Sequence, residues 1–78
     1  RHGMELQQEV IGLISGILNK PVDALTEMGK IQEWDSIRNV MILSTLEEHF
    51  DVLFPEDDIF DLTSVQAITD EIAKLKKA

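Results

Sequence analysis

The sequence predicts an all-α fold of four helices, with a short third helix and a long loop between helices one and two. Three observations carry this expectation. Apolar residues recur at three- and four-residue spacings in separate stretches near the start, middle and end of the chain. No stretch alternates apolar and polar residues as a half-buried strand does. Pro21, Gly29 and Pro55 fall between the periodic stretches, where a helix must stop or start. At 78 residues there is room for one small domain, with no internal repeat, low-complexity tract or second boundary.

The first helix is expected over residues 4–18, where Leu6, Val10, Leu13, Ile14, Ile17 and Leu18 share a face. Gly12 and Gly16 lower its intrinsic propensity, so burial must stabilise it. Asn19-Lys20-Pro21 ends it, because proline lacks a donor and clashes with a continuing helix. Arg1-His2-Gly3 reads as a cloning remnant, with Met4 the first native residue and 4–78 a single domain. Residues 19–34 form the long connection, with a short helical turn near Asp23 to Met28 and Gly29 as its stop. A loop of that length needs anchors, and Leu25, Met28, Ile31 and Trp34 are the expected ones. Trp34, beside a serine, suits either the core or a binding surface.

The central helix runs from about Ser36 to Phe50, with Ile37, Val40, Met41, Leu43, Leu46 and Phe50 as its apolar stripe and Ile42 outside the narrowest version of it. Mostly core is expected, with some exposure toward the N-terminal half. The short apolar run Val52-Leu53-Phe54 is read as loop. Pro55 suits a first helical position, and Glu56, Asp57 and Asp58 suit the positive end of a short helix. Thr63 and Gln66 match a capping box for a last helix carrying Val65, Ile68, Ile72 and Leu75, with Lys74, Lys76 and Lys77 at its negative end.

Composition narrows the function. Fifteen acids against seven bases give a net charge of -8. Residues 23–61 alone hold eleven acids and two bases, a local charge of -9. Such a region repels nucleic acid and anionic membranes; if the charge is functional its partners are proteins with positive patches, and solubility alone explains it equally well. No apolar run approaches the roughly 18 residues of a membrane span. The absence of cysteine removes disulfides and thiolate metal sites and leaves the redox compartment open. Neither a basic leader nor a long apolar segment is visible at the start, so no secretory signal is read there. The protein is expected to be cytoplasmic and, separately, monomeric. An apolar edge around Met41 and Ile42 is where a dimer would form.

Ser36, directly behind Asp35 at a helix start, is the one residue that invites a chemical reading. A serine nucleophile needs an adjacent base. His49 is thirteen residues further along the same helix, about 20 Å away at 1.5 Å per residue, so the two form no dyad. Asp57, Asp58 and Asp61 lack the glycine and ordered ligands of a calcium loop, and no phosphate-binding glycine loop is present. No catalytic and no metal-binding residue is therefore expected. A serine that receives a group from another protein needs only to be reachable. If Asp35 caps the helix, Ser36 is its first residue and its hydroxyl is free, in a place where backbone N–H groups favour a phosphate. The alternative is that Ser36 itself is the cap and the pair is an ordinary helix start.

Four pieces of sequence in order resemble one known family. Asp35-Ser36-Ile37 opens the central helix and Leu46-Glu47-Glu48-His49-Phe50 closes it. Phe54-Pro55-Glu56-Asp57 leads into the short helix, and Thr63-Ser64-Val65 starts the last. Over Met4 to Lys77 the chain is similar to acyl carrier proteins of the phosphopantetheine-binding type. That resemblance implies a four-helix bundle of acyl-carrier type whose Ser36 receives 4'-phosphopantetheine from coenzyme A, by a phosphopantetheinyl transferase. The arm's thiol would carry acyl intermediates as thioesters between acyl-loading, acyl-transfer or synthase enzymes, so the protein's own lack of cysteine is no obstacle.

The resemblance also implies that Asp35 presents the helix start. Glu47, Glu48 and Asp51, extended by Glu56 and Asp57, would contact basic partner surfaces, with Ile37, Arg38 and Met41 completing partner recognition. Trp34 stands where the family commonly has glycine, and Arg38 and Met41 where it commonly has acids. Arg38 opposes the helix dipole by a few tenths to about 1 kcal/mol. These departures point to a specialised polyketide, peptide or lipid pathway as readily as to fatty-acid synthesis. An acyl cavity would be lined by Val40, Leu43, Leu46, Ile59, Ala67 and Ile68, which are equally the expected core. The reading from another class is an acidic helical protein-interaction module without a prosthetic group.

Overall fold

The computed structural model describes the backbone of residues 2–77 and the side chains of residues 5–77. The reading of residues 1–3 as a remnant lies outside the described side chains. Three α-helices and one 3₁₀ helix follow in the expected order: α1 (His2–Leu18), α2 (Ser36–Phe50), η1 (Glu56–Asp61) and α3 (Val65–Lys77). Only isolated bridges, no strand, occur among the described residues.

α1 packs against both α2 and α3. It contributes Val10, Ile14 and Leu18 to the core, spaced by four residues as one face of a helix requires. α3 contributes Val65, Ile68 and Ile72, and the connections add Trp34, Phe54 and Leu62. Each such side chain, fully buried, stabilises the fold by about 1.5–3 kcal/mol. α1 ends with Asn19 in the left-handed region (φ 56°), and the Lys20 N–H reaches back to the Ser15 carbonyl at 3.2 Å. α2 ends likewise, Asp51 being left-handed (φ 57°) with its N–H on the Glu47 carbonyl. At this end α3 returns to α2, where the Lys76 Nζ donates to the exposed Phe50 carbonyl at 3.1 Å.

The phase of α2 differs from the stripe expected of it. Ile42 is fully buried with Leu43 and Leu46, while Ile37, Val40 and Met41 face solvent. The inward set is Asn39, Ile42, Leu43 and Leu46, a regular i, i+3, i+4, i+7 series with one polar member. Ile42 is thus closed off from any dimer edge, leaving Met41 alone of that pair at the surface.

The long connection is a set of hydrogen-bonded turns without a helical turn at Asp23 to Met28. Asp23 Oδ1 accepts the Leu25 N–H at 2.9 Å, an aspartate turn, which leaves Leu25 84% exposed and removes it from the expected anchors. Gly29 is not a helix stop. It sits at φ +87° in a turn closed by Lys30 N–H to Glu27 carbonyl, the glycine position of a type II turn. Two backbone bonds stitch this loop to the approach of α3: Met28 N–H to Thr63 carbonyl at 2.7 Å, and Val65 N–H to Thr26 carbonyl at 3.0 Å. These bonds form an isolated antiparallel bridge between Glu27 and Ser64, and the cap of α3 falls on Ser64, whose Oγ accepts the Ala67 N–H at 3.1 Å. The capping box read at Thr63 and Gln66 does not form; the Gln66 side chain bonds Asp70 and Gln7 instead.

Candidate functional site

The helix start at Asp35-Ser36 is arranged by three neighbouring residues. Asp35 has an extended backbone (φ −110°, ψ −175°), and its Oδ1 accepts the Arg38 N–H at 2.8 Å. Its carbonyl accepts the Asn39 N–H at 2.9 Å. Asp35 is therefore the N-cap and Ser36 the first helical residue, which decides between the two arrangements the sequence allowed. Ser36 is exposed, and its hydroxyl takes no hydrogen-bond partner among the described residues. The N–H groups of Ser36 and Ile37 likewise meet no acceptor there. A free hydroxyl thus stands at the positive end of a 15-residue helix.

Trp34 lies beneath this surface, fully buried. Its Nε1–H donates to Asn39 Oδ1 at 2.9 Å, and Asn39 Nδ2–H donates onward to the Leu62 carbonyl at 3.2 Å. The Trp34 carbonyl accepts the Gly29 N–H at 3.0 Å. This network joins the long loop, α2 and the segment before α3 directly under Ser36. Of the two readings of Trp34, the core holds, so the ring is not a surface that another protein could contact.

Around Ser36 the surface is apolar. Ile37 is 71%, Val40 68% and Phe60 90% exposed, with Met41 and Ile59 also open to solvent. Two open clefts meet along Val40 and Ile59. One, of about 210 Å³, is bordered by Ser36, Met28, Thr63 and Phe60. The other, of about 190 Å³, runs past Leu43, Ser44, Glu47 and Phe54. The six residues expected around an acyl cavity are divided accordingly: Leu46 and Ile68 are closed core, Ala67 is half-buried, and Val40, Leu43 and Ile59 border the clefts.

The acidic candidates lie further along the chain. Glu48, Asp51, Glu56 and Asp57 are exposed. Glu47 is half-buried, with one carboxylate oxygen accepting the Phe54 N–H at 2.8 Å, so it also ties the loop after α2 to the helix. His49 belongs to α2 with Ser36 but pairs with Glu9 of α1, Nε2 to Oε2 at 2.6 Å. No group of three or more His, Cys, Asp or Glu side chains is placed to hold a metal ion among the described residues. Sequence reasoning missed Asn39, which is buried under the site. Its signal was a poor helix former placed inside the first turns of an otherwise apolar run.

The arrangement defines a class: a small helical domain that offers a reachable, uncommitted hydroxyl at a helix N-terminus, beside an apolar surface. A family model described as the phosphopantetheine attachment site matches residues 8–72. The chain belongs to that family, the phosphopantetheine-attachment family of acyl carrier proteins. No curated protein matches it. Membership makes it a carrier that bears 4'-phosphopantetheine and is acted on by other enzymes, a phosphopantetheinyl transferase among them. No helix among the described residues is long and apolar enough to cross a membrane.

Proposed function

We propose that Ser36 is the residue that receives 4'-phosphopantetheine, and that the protein, a single domain over residues 4–78, acts as a monomeric cytoplasmic carrier in fatty-acid or specialised polyketide, peptide or lipid synthesis. The observation that supports this most directly is the free Ser36 hydroxyl at the first position of α2, capped by Asp35 rather than by itself. The residues present fit the group. The unbonded N–H groups of Ser36 and Ile37 suit a phosphodiester, and the open cleft bordered by Ser36 and Val40 gives an arm apolar surface to lie on. When attached, the prosthetic group supplies the thiol that holds acyl groups as thioesters.

The chain's own residues position and present. Attachment forms the Ser36 Oγ–phosphorus bond and breaks the pyrophosphate bond of coenzyme A. Adenosine 3',5'-bisphosphate leaves, and the hydroxyl proton passes to a base on the transferase. Asp35 holds the helix start, while Trp34 and Asn39 hold it rigid from below. Glu48, Asp51, Glu56 and Asp57, with the outward part of Glu47, draw basic partner surfaces. Such attraction speeds encounter while adding modest affinity, as a carrier that must leave each enzyme requires.

Intact mass after incubation with a broad-specificity phosphopantetheinyl transferase and coenzyme A tests the assignment. Addition of one phosphopantetheine, mapped to the Ser36 peptide and lost in Ser36→Ala, is the expected result. A folded sample that stays unmodified, also with the transferase of its source, would overturn it and leave the acidic interaction module as the reading to pursue.

A further inference from the structure

We propose that the face of α2 beside Ser36 docks an apolar surface of a partner enzyme that carries a carboxylate opposite Arg38. This is a different chemistry from the basic surfaces drawn by the chain's acids. It rests on the carrier reading above only in taking Ser36 as the place where the two proteins meet.

Arg38 is the single Lys or Arg between Lys30 and Lys74, in the most acidic part of the chain. Carboxylates abound there, yet none lies within ion-pair distance of Arg38 among the described residues. Arg38 is exposed. From Ser36 to Leu46 it is also the only charged residue, so α2 offers no acid beside the free hydroxyl. Asp35, the nearest, is engaged in capping through the Arg38 N–H itself.

The surface around Arg38 is the apolar one. Met41 stands four residues from Ile37 and three from Arg38, and Val40 three from Ile37, so these four are neighbours on one helix face. Val40 and Ile59 border both clefts, and Phe60 borders the one at Ser36, which carries the apolar surface across to η1. Monomeric proteins rarely leave contiguous apolar area of this kind without a binding use. Glu47, the first acid further along α2, is nine residues from Arg38, about 13 Å along the axis. That exceeds the screening length of about 8 Å at physiological ionic strength. No acid of η1 forms an ion pair with Arg38 among the described residues. A partner that sets a basic group against this face meets the Arg38 charge there, and one that brings a carboxylate into an apolar contact gains a charge-assisted bond.

The test uses two amphipathic helical peptides with the same Leu and Phe face, one flanked by Glu and one by Lys, titrated into the isotope-labelled protein. The Glu peptide should bind about two- to fivefold more tightly, the size an exposed ion pair gives. Its amide shifts should fall on Ile37, Arg38, Val40, Met41 and Phe60. Arg38→Glu should reverse the order of the two peptides, and Val40→Asp should weaken both. Equal or tighter binding of the Lys peptide, shifts confined to other residues, an unchanged order in Arg38→Glu, or no binding up to millimolar peptide each overturn the proposal. Phosphopantetheine loading of the same wild-type sample is measured in parallel. A preparation that shows the peptide preference and refuses loading sinks the carrier assignment of Ser36 while leaving the docking chemistry intact.

Discussion

Asp35 determines what Ser36 is free to do. Because the aspartate accepts the Arg38 N–H, the serine is spared capping and its hydroxyl stays available at the surface. Asp35→Ala should therefore destabilise the fold by about 1 kcal/mol, read as a lower urea midpoint at unchanged slope. An unchanged midpoint would mean that the cap adds nothing to the fold. At this scale the Asp-Ser pair was legible, but which of the two caps was not. Both types are good caps, and the choice rests on backbone angles that no local pattern specifies. Trp34 was equally undecided in sequence, since a large ring with one polar atom suits a core and an interface alike. Its bond to Asn39 settles the matter.

Among the elements, α2 shows the limit of periodicity. Ile37, Val40, Met41, Ile42, Leu43 and Leu46 surround most of its circumference, so apolar spacing establishes that a helix exists without fixing which side turns inward. The buried Asn39 fixes the rotation, since it must point at Trp34 and Leu62. Ile42 goes inward with it, and Ile37, Val40 and Met41 go out to form the surface beside Ser36. The start of α3 was misread for a related reason. Thr63 and Gln66 have the spacing of a capping box, but the Thr63 carbonyl is bonded to Met28 and the chain is bridged to the long loop through Ser64, so the helix starts one residue later. Ser64→Ala should consequently cost about 1 kcal/mol and Thr63→Ala distinctly less, compared by chemical denaturation. The reverse order would restore the capping box.

For the molecule as a whole, the loop between α1 and α2 is the part that must be held. It is held by backbone bonds to the approach of α3 and by the Trp34–Asn39–Leu62 network, which places the helix start on a fixed base. Asn39→Ala leaves the buried Trp34 Nε1–H and Leu62 carbonyl unpaired together. It should cost about 2–4 kcal/mol, with hydrogen exchange accelerated at Gly29 and Trp34 as well as in α2. Exchange confined to α2 would show that the network does not couple the loop to the helix. The sequence by itself determined the helix order, the short third helix, the position of the chemically interesting serine and the acidic character of the chain. All of these follow from local spacing, punctuation and composition. Only the tertiary structure decided that Asp35 is the cap, that Trp34 is core and that the Ser36 face is apolar around a lone arginine. Those outcomes depend on Asn39, Thr63 and Leu62 finding partners far along the chain, and a hydrogen bond between distant residues leaves no periodic trace in sequence.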